Sequence, residues 1–230
     1  MPPEQRVLAV DVGGSRVKLL IPGEPTPRRF ASGPKLTPEQ MASGVLQSAE
    51  GWDWDVASVG IPAPTRANRV VTEPVNLGKG WVDFDFEKAF GKPTKVVNDA
   101  VMQALGSYEG GRMLFLGLGT GLGSALVIGG VAEPLELAHL PYRKGTFEDY
   151  VGERSLIERG KKRWREHVFA VVEQLAAAMQ ADYVMIGGGG VKELDELPPN
   201  SRRGNNEFAF RGGFRLWDPD WPPQTPPVRA

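Results

Sequence analysis

Several short stretches of this chain hold residue types at spacings that could do chemistry. Asn98-Asp99-Ala100 sets a short carboxylate between a β-rich run, Pro93 to Val97, and a helix-like run, Val101 to Gly106. A carboxylate at such a strand-to-helix junction sits where open α/β sheets place their ligands. There Asp99 could take a proton as a general base. Asp11-Val12-Gly13-Gly14-Ser15 is a tight turn between two apolar runs. Its glycines let backbone approach a ligand, and its successive amides could form an anion nest. Asp11 beside them could hold a hydrated Mg²⁺ that bridges phosphate oxygens. A plain hairpin with a capping Asp accounts for that turn equally well.

Gly117-Leu118-Gly119-Thr120-Gly121-Leu122-Gly123 is a second glycine turn. It is neither a dinucleotide fingerprint nor a P-loop, because the third glycine and the Gly-Lys-Ser/Thr end are out of place. Apolar runs flank it, which indicates a hairpin. Phosphate binding, with the Thr120 hydroxyl among backbone amides, explains four alternating glycines better than packing does. Gly187, Gly188 and Gly189, followed by Gly190, come after a buried strand. They could bring a flat ring or phosphate close to backbone, or simply turn the chain tightly. Glu136 and His139 stand three apart, ahead of Pro141, and read as loop-borne. The other histidine, His167, lies among Arg163, Arg165 and Glu166 and reads as a solvated surface residue.

The elements that must position these residues are legible from local pattern. Arg6–Asp11 and Arg16–Ile21 read as the two strands of a hairpin, with a further short strand near 28–31. Thr37-Pro38-Glu39-Gln40 combines an N-cap, a first-turn proline and a capping-box glutamine, so a helix is expected to about Ala49. Strands are expected at Val56–Ile61, Met113–Leu118, Ser124–Ile128 and Tyr183–Ile186, with a short helix at Asp85–Phe90. Residues 153–180 read as helical in two pieces divided near Gly160. Residues 205–217 could close the fold as a helix, although Gly212-Gly213 weakens that reading. A strand, a glycine turn and a second strand occur near residue 11 and again near residue 120, as two similar lobes would produce.

Bulk composition narrows the classes. The chain has 230 residues, 41% hydrophobic and 24% charged, which suits one large domain or two small lobes sharing a cleft. A net charge of -1 gives no global attraction for nucleic acid or anionic membrane. Cysteine is absent, which excludes disulfides, thiolate metal sites and cysteine nucleophiles. No apolar run approaches the length of a membrane span, and the first residues lack a signal-peptide core. The expectation is a soluble, cytoplasmic protein without nucleic-acid or membrane partners.

Taken in order over about residues 6–217, these motifs resemble the repressor/ORF/kinase (ROK) family of sugar kinases, most of all its bacterial polyphosphate glucokinases. Asp11 to Ser15 with Lys18 resembles the first phosphate motif, and Gly119, Thr120 and Gly121 the second. Gly60-Ile61-Pro62 and Asn76 to Trp81 resemble the sugar-side loops, Asn98-Asp99 the catalytic pair, Glu136 to His139 the sugar-binding Glu-x-Gly-His, and Gly187 to Gly189 the adenosine-side glycines. The resemblance implies an α/β, two-lobed ribonuclease-H-like fold of the actin/hexokinase type, with a central interlobe cleft. Residues 1–110 would form the first lobe, with 205–230 as a segment that could complete it, and 111–204 the second. It implies phosphorylation of glucose or a related hexose such as mannose at the 6-hydroxyl. Asp99 would be the base. Asn76, Asn98, Glu136, His139 and Glu148 would hold the sugar, the donor would be polyphosphate or ATP with Mg²⁺ near Asp11, and the protein would be a homodimer.

Departures from the pattern carry their own expectations. The family's Cys-rich zinc motif is missing, so no structural zinc is expected. Ala63 and Ala138 stand where glycines are usual, which could narrow the sugar pocket or shift its loops. Lys161-Lys162-Arg163, Arg165, Arg202 and Arg203 could line a polyphosphate track, or be an ordinary solvated basic face. The sequence leaves the donor open between ATP and polyphosphate. A sugar-binding regulator of the same family is the rival reading; the helix-turn-helix such regulators carry finds no room before a first strand at about Arg6, and a retained Asp99 favours catalysis.

Overall fold

The computed structural model describes residues 5–205 and 207–221; residues 1–4, residue 206 and the Pro-rich stretch beyond Trp221 lie outside the described residues. The chain divides into two compact units. One runs to Met102 and takes in Ala209–Trp221; the other runs from Gln103 to Phe208.

The first unit is built from β1 (Val7–Val12), β2 (Arg16–Leu20), β3 (Arg28–Ala31), α1 (Pro38–Ser48), β4 (Val56–Ile61), a small ribbon β5 (Thr65–Arg66) and β6 (Arg69–Val70), α2 (Phe86–Phe90), β7 (Thr94–Asn98) and the start of α3 (Asp99–Ser107). Its described residues form a five-stranded sheet in the order β3-β2-β1-β4-β7. β1 to β3 form an antiparallel meander, and β4 and β7 continue it in parallel with β1. β1 and β4 are buried along their whole length, as expected of continuous apolar strands covered on both faces. The capping box expected at Thr37 is formed in both directions, and α1 buries Met41, Ala42 and Val45 in the core with Leu8, Val10, Val59 and Trp81.

The second unit contains β8 (Arg112–Leu118), β9 (Leu122–Ile128), β10 (Val131–Leu135), a 3-10 turn at Leu137–His139, a small hairpin β11 (Pro141–Tyr142) and β12 (Gly145–Thr146), α4 (Glu148–Val151), α5 (Glu153–Ala178), β13 (Tyr183–Gly187) and β14 (Ser201–Arg203). Its sheet order, β10-β9-β8-β13-β14, repeats the plan of the first: an antiparallel meander followed by two parallel strands. The echo of strand, glycine turn and strand in the sequence is this shared topology. α5 breaks at Gly160, which has φ 76° and ψ 158° and so cannot carry the helix through. Among the described residues, no helix is long and apolar enough to cross a membrane.

In the two main sheets, two strands escape sequence reading. β10 contains Pro134, which removes a ladder donor, but β10 lies at the sheet edge, where proline is tolerated. β14 is short, charged and also an edge strand. The closing helix, α6 (Phe208–Arg215), runs through Gly212-Gly213 instead of breaking there. A methyl group on Gly213 would lie 2.7 Å from the Ala9 Cβ on β1, so the missing side chain is what lets α6 lie on the sheet. Ser58 donates to the Gly213 carbonyl at 2.7 Å and accepts from the Trp217 indole at 3.0 Å, and Lys95 stacks over that indole.

Gly213→Ala should therefore destabilise the protein by about 1–3 kcal/mol, the usual cost of overpacking a closed contact. Urea unfolding measures it. An unchanged midpoint would mean that α6 does not depend on this approach.

Candidate functional site

In the first unit the candidate residues gather at the carboxyl ends of the parallel strands. Asp11 pairs in register with Gly60, and Gly60 with Val97; Ile61 pairs with Asn98. Asp11 and the start of α3 are therefore two strand spacings apart, about 10 Å. Gly60 makes room for that helix start: a methyl group there would lie 2.6 Å from Met102 Cε and 3.5 Å from the Asp99 Cα. Asn98 closes the junction. Its side-chain oxygen accepts from the amides of Ala100 at 2.9 Å and Val101 at 3.3 Å, and its nitrogen donates to the Ala63 carbonyl at 3.2 Å. Asp99, half-buried, opens α3, where the orphan amides and the helix dipole favour a carboxylate.

Asp11 is buried and forms an ion pair with Lys18, opposite it on β2, at 3.2 Å. Gly13, Gly14 and Ser15 make the turn between them, closed by the Gly13 amide on the Arg16 carbonyl at 3.0 Å. Asn76 lies over this turn: its Cβ is 3.3 Å from the place a Gly14 methyl would take. Glu73, which sequence reasoning passed over, folds the loop that carries Asn76. Its two carboxylate oxygens accept the amides of Gly80 at 3.0 Å and Trp81 at 3.2 Å. Among the described residues no group of three or more His, Asp or Glu side chains gathers as a metal cage. A single carboxylate already facing an ammonium suits a hydrated Mg²⁺ carried by a donor's phosphates and touched through water.

In the second unit the glycines of the two turns separate into three kinds. Gly188 packs on the backbone of Leu118, and a methyl on Gly187 would lie 2.7 Å from the Phe115 ring. Packing accounts for both. A methyl on Gly119 or Gly189 would meet nothing within 4 Å, and neither residue needs a left-handed backbone. Their missing side chains leave open space at the end of the sheet beside the exposed Thr120, as a phosphate or ring would require. Gly121 is a third case: a methyl there would overlap the Glu148 carboxylate.

Glu136 precedes the 3-10 turn after β10 and His139 ends it, both exposed, with His139 Nε2 3.8 Å from the Glu136 carboxylate. Ser124, buried on β9, sets that turn. It donates to the Leu135 carbonyl at 2.8 Å and accepts the Leu137 amide at 3.3 Å. Ala63 and Ala138 are both buried in the apolar cores of their units, so their methyl groups are absorbed by packing.

Two expectations change. His167 is not a solvated surface residue. The β11–β12 hairpin folds Tyr142 onto α5, and the Tyr142 hydroxyl lies 3.4 Å from His167 Nδ1, with Tyr150 edge-on to the imidazole. Burial, then the nearby Arg143 and Arg159 cations, hold the His167 pKa below its ordinary value, against a smaller pull from Glu166. The basic run is largely consumed by structure. Lys161 bridges Glu193 and Asp195, Arg165 pairs with Asp195, Arg202 with Glu109, and Arg203 binds the carbonyls of Val191 and Leu194. Lys162 and Arg163 stay exposed.

No family model matches the chain. It is 25% identical over 213 aligned residues to the polyphosphate glucokinase of Mycobacterium tuberculosis, covering 83% of this chain and 80% of that one. The crystal structure of an inorganic polyphosphate/ATP-glucomannokinase from Arthrobacter sp. strain KM superposes with a TM-score of 0.78 at 22% identity, covering 92% of this chain and 98% of that one. A ROK family glucokinase from Streptomyces griseus, solved with glucose and AMPPNP, gives a TM-score of 0.70 at 18% identity, over 92% and 98% of the two chains. The fold is that of the ROK sugar kinases, and the resemblance carried by the motifs holds for sequence and fold alike.

His167 supplies a pH test. Its folded pKa lies below the unfolded one, so its contribution to stability is present above about pH 6.5 and is lost as pH falls through the folded value. Chemical unfolding from pH 7.5 to 5 should show that loss, and His167→Phe should flatten it. An unchanged slope in the variant would exclude His167 as the titrating group.

Proposed function

We propose that this chain, a relative of the polyphosphate glucokinases with the fold of the ROK sugar kinases, is a hexose kinase. It transfers a phosphoryl group from polyphosphate or ATP to the 6-hydroxyl of glucose or a close relative such as mannose. The observation that carries this reading is Asp99: a carboxylate held at the start of α3 by Asn98 and Gly60, two strands from a second carboxylate beside a glycine turn.

Phosphoryl transfer requires alignment and charge neutralisation more than covalent chemistry. Asp99 accepts a hydrogen bond from the sugar hydroxyl and takes its proton as the hydroxyl oxygen bonds to phosphorus. The bond from phosphorus to the bridging oxygen breaks, and ADP or a shortened polyphosphate leaves. Asn98 spends its oxygen on the helix start, and its amide group keeps one hydrogen for a sugar hydroxyl. On the second unit, Glu136 and His139 take further hydroxyls, and the amides near Gly119 with the Thr120 hydroxyl take donor phosphate. Asp11 would hold Mg²⁺ through water, with Lys18 beside it, and the ion would neutralise donor charge.

Purified protein with Mg²⁺ should form hexose 6-phosphate when offered glucose or mannose with ATP or polyphosphate, each donor in turn. Binding of hexose without transfer from either donor would overturn the kinase reading and favour a sugar-binding regulator. Asp99→Asn should lower kcat by ~10²–10⁴, as for a lost general base, with calorimetric hexose affinity kept within a few-fold. Near-normal turnover in that variant would remove Asp99 from the role.

A further inference from the structure

Neighbouring arginines on β3 have opposite fates. Arg28 faces α1: its guanidinium lies 3.9 Å from the Trp52 ring centre and donates to the Ser48 and Glu50 carbonyls, each at 2.8 Å. Side chains alternate faces along a strand, so Arg29 points to the other side of the sheet. There the register sets Asp11 on β1, Lys18 on β2 and Arg29 on β3 in one row, and Arg16 stands on the same face two residues before Lys18. The row spans about 10 Å, two strand spacings. α6 lies against this face at Ala9, two residues before Asp11, and leaves Arg16 and Arg29 exposed. The Ser32 amide donates to the Ser15 carbonyl at 3.0 Å, which ties the end of β3 to the first glycine turn.

Asp11 is the one carboxylate on these three strands, and Lys18 already pairs with it at 3.2 Å. Among the described residues, neither Arg16 nor Arg29 forms an ion pair or a side-chain hydrogen bond. Two cations are thus left over beside the carboxylate proposed to hold the donor's Mg²⁺, whereas the basic residues of 161–165 and 202–203 are mostly spent on carboxylates and carbonyls. We propose that Arg16 and Arg29 form, with Lys18, a track for the part of an inorganic polyphosphate chain that lies beyond the transferred phosphoryl group. This rests on the kinase reading and adds a polyphosphate subsite to it. A nucleoside triphosphate loses its charge at the ribose, whereas polyphosphate stays anionic at every unit. Cations about 10 Å from Asp11 therefore favour the longer polyanion. Guanidinium groups suit phosphate oxygens, because their fork of donors can bind two at once.

The test is steady-state kinetics at saturating hexose with ATP, tripolyphosphate and long-chain polyphosphate as donors. Combining Arg16→Gln with Arg29→Gln should raise the KM for long-chain polyphosphate roughly fivefold or more, as two exposed charge contacts of a few-fold each. The KM values for ATP and tripolyphosphate should stay within about twofold. The salt dependence of the long-chain KM should become shallower, because fewer counterions are displaced. Arg16→Lys with Arg29→Lys keeps both charges and should recover most of the loss. An unchanged KM for long-chain polyphosphate in the double Gln variant, or an equal rise for all donors, would overturn the proposal. If the wild-type chain uses ATP and not polyphosphate, the track is overturned and the kinase reading stands. If it phosphorylates hexose from neither donor, the kinase reading fails, and calorimetric titration of long-chain polyphosphate into the protein still decides the track. Weaker binding in the double Gln variant supports it there, and equal binding overturns it.

Discussion

Parallel pairing of β1, β4 and β7 is the constraint on which the chemistry of the first unit depends. Side chains alternate faces along a strand, so a slip of one residue would turn Asp11 to the opposite side of the sheet. The observed register, Asp11 with Gly60 and Gly60 with Val97, brings an acid and a helix start to one end of three parallel strands. Everything else at that end adjusts to it. Gly60 gives way to Met102 and Asp99, Asn98 caps the helix, and Gly213 lets α6 lie against β1 at Ala9.

The second unit uses the same strand plan for a different set of groups. Its first hairpin turn is longer in glycine and carries no acid of its own; the carboxylate that touches it, Glu148, comes from an element 26 residues further on. Its sugar-side candidates, Glu136 and His139, hang from a short turn whose geometry is set by one buried hydroxyl, Ser124. Asp11 apart, the reactive candidates of both units are half-buried or exposed, while the residues that aim them are buried or backbone-bound. That division suits a site that must exchange with solvent yet hold a geometry.

Packing has also taken up features that looked functional. The lysines and arginines of 161–165 and 202–203 mostly join α5, β14 and the segment between β13 and β14 through ion pairs and carbonyl bonds. Tyr142, Phe147, Tyr150 and His167 form an aromatic cluster that ties the β11–β12 hairpin to α5. Ala63 and Ala138 fill core volume.

What the sequence determined by itself is whatever depends on near neighbours. Apolar runs marked β1, β4, β8 and β13, the Thr37 box began α1, Gly160 divided α5, and the glycine turns and Asn98-Asp99 stood out by type and spacing, because propensity, capping and left-handed backbone are settled within a few residues. Edge strands β10 and β14 were hidden because their residues have weak β pattern and gain stability only from a neighbour already in place. What only the tertiary structure decided is which polar groups meet across long separations: Glu148 with Leu122, His167 with Tyr142, Ser58 with Gly213 and Arg165 with Asp195. It also decided which glycines are bare toward open space and which toward a packed atom. Those distinctions are matters of distance between segments far apart in the chain, and local pattern carries no measure of that distance.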